Sequence, residues 1–93
     1  MSIIELYNKI KAAFRAKRLV KSLKNGFIRG RELARINAKL RKWLQELASI
    51  AKTITVYFSF LEIKSVLNYP ATTFLSLLDG VIAGRVKLVS VTV

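Results

Sequence analysis

Nine apolar residues, Leu33, Ile36, Leu40, Trp43, Leu47, Ile50, Ile54, Tyr57 and Leu61, follow one another at alternating spacings of three and four. That spacing places them on one face of an α-helix, and a seam held for about four heptads calls for a facing partner. The pattern predicts a long central helix whose seam is an oligomer interface that includes Trp43, with packing against the chain's own first and third helices as the alternative. Arg31, Arg35, Lys39, Arg41 and Lys42 lie off the seam in its first half. Beyond Thr53 a second stripe, Val56, Phe60, Ile63 and Leu67, falls on the opposite face, so the helix becomes apolar nearly all round and needs protein or lipid around it. The β-branched and aromatic run over residues 53–60 leaves a strand as the alternative there.

Residues 3–24 read as a basic amphipathic helix with Ile3, Leu6, Tyr7, Ile10 and Phe14 on its stripe. After Phe14 the apolar phase changes. Leu19, Val20, Leu23 and Phe27 lie on another side, while Lys17 and Lys21 fall on the original stripe, which argues against a single flat apolar face. Asn25-Gly26 predicts the stop of this helix, and Gly30 loosens the link further. Asn68-Tyr69-Pro70 should end the central helix, because proline disfavours the helical conformation of the residue before it. A short apolar third helix is expected from Thr72 or Thr73 to about Ala83, carrying Phe74, Leu77, Leu78, Val81 and Ile82. The valine-rich residues 85–93 look extended and are expected to pair as a strand with another copy or a partner. The expected fold class is therefore mainly all-α, one domain over residues 1–93.

Charge divides that domain. The net charge is +12; thirteen Lys and Arg through Lys42 face only Glu5 and Glu32, whereas residues 43–93 carry four against Glu46, Glu62 and Asp79. A basic half, residues 1–42, joins an apolar packing or membrane-associated half, residues 43–93. So dense a set of cations exceeds what solubility requires and points to an anionic partner. Its candidate contacts are Lys9, Lys11, Arg15, Lys17, Arg18, Lys21, Lys24, Arg29, Arg31, Arg35, Lys39, Arg41 and Lys42. Engaging six to ten phosphates of a nucleic acid would make affinity fall roughly 10³- to 10⁵-fold between 50 and 200 mM salt. An anionic membrane would gain about 1 kcal/mol per cation at its surface. Tyr7, Phe14 and Phe27 would stack on bases, insert at a lipid interface, or form the packing face. No motif for sequence-specific DNA reading is present.

Catalysis lacks equipment. With no His and no Cys, metal and disulfide chemistry lose their usual ligands. The five carboxylates are 27, 14, 16 and 17 residues apart in sequence, so no acid–base dyad is indicated. Ser49-Ile50-Ala51-Lys52 has the S-x-x-K spacing of penicillin-recognising enzymes, but the companion motifs are missing and the chain is far too short for that fold. A hydroxyl and a lysine on the polar side of a helix is the simpler reading. Gly26 to Gly30 and Gly80 to Gly84 each satisfy G-x-x-x-G, the first read as a hinge and the second as a helix-packing site.

The longest charge-free stretch, residues 65–78, is too short for a spanning helix and holds Asn68 and Pro70. A hairpin of residues 53–67 and 71–83 would offer arms of only about 20 to 23 Å against a hydrocarbon core of ~30 Å. Glu62, Lys64 and Asp79 within it would each cost about 2.5 to 3.5 kcal/mol if lipid-facing. Burial by protein is favoured, with partial insertion kept as an alternative. No secretory signal is indicated.

At 53% hydrophobic residues and a mean hydropathy of +0.35, a chain of 93 residues has more oily surface than its own core should hide. The expected function is that of a non-enzymatic structural or assembly protein. It would be a small basic helical subunit of a larger particle, a virion or nucleoprotein complex with or without a membrane. It would contact nucleic acid or an anionic membrane through its N-terminal half and other subunits, including copies of itself, through its C-terminal half. No cofactor, metal or small-molecule substrate is expected. The alternatives are a free dimeric nucleic-acid-binding module without sequence specificity, and a small membrane-active protein of pore or lysis type.

Overall fold

The computed structural model describes residues 2–59 and 66–93. It is mostly helical with a small three-stranded antiparallel sheet, and it divides into two compact units, Met1–Leu44 and Gln45–Val93.

In the first unit, α1 spans Ile3–Lys21. Ser2 caps its start by accepting a hydrogen bond from the Glu5 backbone N–H at 3.2 Å, with the Glu5 carboxylate in the positive first turn. Its buried positions are Leu6, Ile10 and Lys17, with Ile3, Ala13, Phe14 and Val20 half-buried alongside. The buried stripe runs on through Lys17 while Leu19 and Leu23 stay exposed off it, in keeping with the change of apolar phase after Phe14. Lysine can occupy such a position because its four-carbon stem packs like a hydrocarbon.

The helix ends at Lys21, where the Ser22 hydroxyl donates to the Leu19 carbonyl at 2.6 Å. Asn25-Gly26, expected to stop α1, instead starts α2 (Gly26–Ile50). The Asn25 side-chain oxygen accepts from the Phe27 and Ile28 N–H groups at 3.0 and 3.1 Å, satisfying donors that a helix start leaves open. Gly30, expected to loosen the link, lies inside α2 and has nothing within 4 Å of where a β carbon would sit. The bend turns the chain back, so that the Lys9 ammonium lies 5.9 Å from the Trp43 ring centre.

The central helix stops at Ile50, which shortens the predicted heptad helix by its last third. Residues Thr53–Phe58 form β1, so the strand reading of residues 53–60 is the correct one as far as Phe58. Thr53, Ile54, Thr55 and Val56 are all β-branched and lose side-chain freedom in a helix. In the sheet Ile54 and Val56 alternate inward, fully buried, and the pattern changes from a period of about 3.6 to one of 2. Ile54 and Tyr57, both on the predicted seam, thereby point to opposite faces of the sheet.

β1 is central, with β2 (Val66–Pro70) and β3 (Val86–Thr92) antiparallel on either side. Val56 and Leu67, assigned above to one helical stripe, are cross-strand partners, and β2 replaces the end of the expected helix. Phe60, Leu61 and Ile63 lie outside the described residues. β3, expected to pair with another molecule, pairs with β1, from Thr53↔Thr92 to Phe58↔Val86, with a bulge at Thr55/Val56.

The expected third helix is present as α3 (Ala71–Phe74), a 3₁₀ turn (Leu75–Leu77) and α4 (Leu78–Ile82). Pro70 precedes it, closing β2 rather than a helix. Ala71, Phe74, Leu78, Val81 and Ile82 are buried, as are Ile54, Val56 and Val86 of the sheet, with α3 lying by β1 and β2 and α4 by β3. At the end of α4 the Arg85 N–H donates to the Gly80 carbonyl at 2.9 Å and the Gly84 N–H to the Val81 carbonyl at 3.1 Å. This paired closure needs a left-handed residue, supplied by Gly84 at φ 83°. Gly80 meets β3 so closely that an added β carbon would lie 2.9 Å from Cγ2 of Val86. The packing role expected of Gly80 is thus met against a strand instead of a second helix.

Candidate anion-binding surface

The helical hairpin of the first unit carries all thirteen candidate cations, and twelve of them are exposed. Lys17 is the exception, at 8% exposure. Burial, aided by the neighbouring charge of Lys21, holds its ammonium pKa below the ordinary lysine value. Lys17 is thus the least exposed of the thirteen candidate cations.

The exposed cations fall into rows set by helical geometry. On α1, Lys11, Arg15 and Arg18 lie within a sector of about 60° at 100° per residue. On α2, Arg31, Arg35, Lys39 and Lys42 lie within about 80°, on the side away from the buried Leu40 and Leu44. This second row is about 16 Å long at 1.5 Å per residue. Lys21, Lys24 and Arg29 surround the bend between the two helices. Glu32 is the acid set against these rows: its carboxylate lies 3.8 Å from Arg35 and 3.9 Å from Arg31, an exposed arrangement worth little in stability.

Aromatic rings position several of these charges. The Lys11 ammonium stands 4.5 Å from the Tyr7 ring centre, Lys9 stands over Trp43, and the Arg31 guanidinium lies 6.0 Å from the Phe27 ring. Desolvation raises the Tyr7 phenol pKa, so it stays a neutral hydroxyl over the physiological range. The arrangement can hold rows of anions. Among the described residues no cluster of three His, Cys, Asp or Glu could hold a metal ion. Ser49 donates its hydroxyl to the Glu46 carbonyl at 2.6 Å, and Lys52 lies past the end of α2, so the S-x-x-K spacing builds no nucleophile pair.

The nine seam residues do not share one surface. Leu40, Leu47 and Ile54 are fully buried in the chain's own fold; Leu33, Ile36, Trp43 and Tyr57 are half-buried; Ile50 is 45% exposed; Leu61 lies outside the described residues. Of the exposed apolar residues at the hairpin bend, Leu19, Leu23 and Phe27 were already set apart in the sequence, and Ile28 was missed. The signal for the three was the change of apolar phase after Phe14, which marks side chains that do not belong to the packed stripe.

No helix among the described residues is long and apolar enough to cross a membrane. The chain matches no family model, no curated protein and no solved structure at a significant level.

Proposed function

We propose that this chain is a non-enzymatic assembly protein, a small basic subunit of a larger particle, that docks on an array of phosphate groups through its helical hairpin. The observation carrying this reading is the pair of exposed cationic rows, Lys11–Arg15–Arg18 and Arg31–Arg35–Lys39–Lys42, in a unit whose acids are Glu5 and Glu32. Each row offers charges about 4 to 6 Å apart along its helix, fixed by the backbone rather than by flexible loops. Phosphate contacts of this kind give affinity without sequence preference.

Contact with neighbouring subunits is assigned to the second unit. β2 and β3 flank β1, and each carries exposed apolar residues, Val66 and Leu67 on the first and Val89 on the second. Outer strands with such side chains are pairing sites for further strands.

The test is binding to heparin or mixed-sequence duplex DNA as a function of salt. The parent chain is expected to show a steep loss of affinity with salt, and changing Arg31, Arg35, Lys39 and Lys42 to Gln should flatten the log–log slope by about 0.9 for each phosphate no longer neutralised. Binding that is weak, or steep but indifferent to these four substitutions, overturns the reading.

A further inference from the structure

The bend of the hairpin exposes oily side chains that rows of phosphate contacts leave unused. Phe27 is 78% exposed and Leu19 72%, with Leu23 and Ile28 exposed beside them. Leu19 projects from α1 on the side away from Leu6, Ile10 and Lys17, whereas Phe27 and Ile28 project from α2 away from Leu40 and Leu44. The apolar groups therefore occupy the bend and both outer sides of the hairpin end. A partner approaching one side would cover only some of them; a medium enclosing the end covers all.

Charge identifies the medium. Arg18, Lys21, Lys24, Arg29 and Arg31 are interleaved with these residues, and no acid occurs between Glu5 and Glu32. The Arg29 guanidinium donates to the Leu23 carbonyl at 3.1 Å, tying the bend in one shape. A nucleic acid would use the cations, but aliphatic Leu19, Leu23 and Ile28 offer its bases no ring to stack on. An anionic bilayer uses both sets.

We propose that residues 18–31 insert end-on into the boundary of an anionic lipid bilayer, with Leu19, Leu23, Phe27 and Ile28 below the headgroups and the five cations reaching lipid phosphates. Arg31 follows Phe27 by about 6 Å along α2, which matches the 5 to 10 Å to which interfacial helices sink. The inference rests on the hairpin being the anion-contacting surface and names its partner.

The experiment uses the full chain with vesicles of phosphatidylcholine, with and without phosphatidylserine, and duplex DNA in parallel. A Phe27→Trp, Trp43→Phe variant reports depth: its fluorescence should shift to the blue on phosphatidylserine vesicles and be quenched by brominated acyl chains. The Leu23→Ser, Phe27→Ser variant changes exposed positions only, and circular dichroism checks that it keeps its helices. Its vesicle affinity should drop at least about tenfold while DNA affinity holds. Vesicle binding that survives the double substitution, or an unquenched reporter, overturns insertion. Equal loss toward DNA overturns the choice of lipid as partner. Failure to bind either vesicles or DNA would instead remove the anion-contacting reading on which this one stands.

Discussion

Gly80 and Gly30 are both helical glycines, yet a methyl group added to each should act with opposite sign. At Gly80 it would stand 2.9 Å from Cγ2 of buried Val86, whose branched side chain cannot swing aside, so Gly80→Ala is expected to destabilise by about 1 to 3 kcal/mol. At Gly30 it meets open space and removes backbone freedom from the unfolded chain, so Gly30→Ala should stabilise by about 0.5 to 1 kcal/mol. Thermal melts of the two variants check both. Lys17 yields a pH-dependent expectation. Its folded pKa is lowered by burial and by Lys21, so the unfolded chain binds its proton more tightly and stability rises with pH through that window. Lys17→Met, which keeps the stem and removes the charge, should therefore raise the melting temperature most at neutral pH. The gain should shrink as pH climbs through the lowered pKa toward 10.5, the ordinary lysine value. A gain that is constant with pH would count against the burial of the charge as its cause.

At the scale of elements, Ile50 and Ile54 separate the helix from the strand. They sit four residues apart on the predicted seam, but Ile50 closes α2 half in solvent and Ile54 is buried in β1. Ile54→Asp should cost about 4 kcal/mol or more, since an unpaired charge would be buried, and the sheet should be lost. Ile50→Asp should cost under about 1 kcal/mol, including an acid placed at the negative end of a helix. Urea titration followed by circular dichroism distinguishes the two. The same pair shows how far the elements were legible. α1, α2 from Leu33 onward and the helical stretch after Pro70 announce themselves through apolar spacing, because only one local period fits them. From Thr53 onward the spacing fits both periods. Ile54 and Tyr57 satisfy three-and-four spacing by coincidence, while the pairing that selects the strand comes from β2 and β3, residues that no local window contains. Asn25-Gly26 misleads for a related reason: the dipeptide suits a helix end, and the asparagine is used at the start of the next helix. Among site residues, the cations were legible from composition. The burial of Lys17 was not, since a charge on a stripe gives no sign of whether its stem will be covered.

At the scale of the whole molecule, much of the oily content that argued for burial by partners is buried in the chain's own fold. The second unit alone buries Leu47, Ile54, Val56, Phe74, Leu78, Val81, Ile82 and Val86. Among the described residues, the large apolar side chains left outside are at the hairpin bend, Ile4 on the first turn of α1, Ile50, Leu75, Val66 and Leu67 of β2, Val89 of β3 and Val93 after it. A surface so divided suits a protein with two separate kinds of neighbour, an anionic one at the cationic unit and a strand-bearing one at the sheet. The placement of β1 between β2 and β3 also sets a tempo. The helical turns of α1 and α2 form from residues near in sequence, but the β1–β3 ladder joins residues from 28 apart (Phe58↔Val86) to 39 apart (Thr53↔Thr92). Closing so large a loop is slow beside the winding of a helix. A newly unfolded chain would thus regain its cationic hairpin while the flanks of its middle strand still lay bare to other chains, and crowding should make it clump through that strand before the ladder shuts.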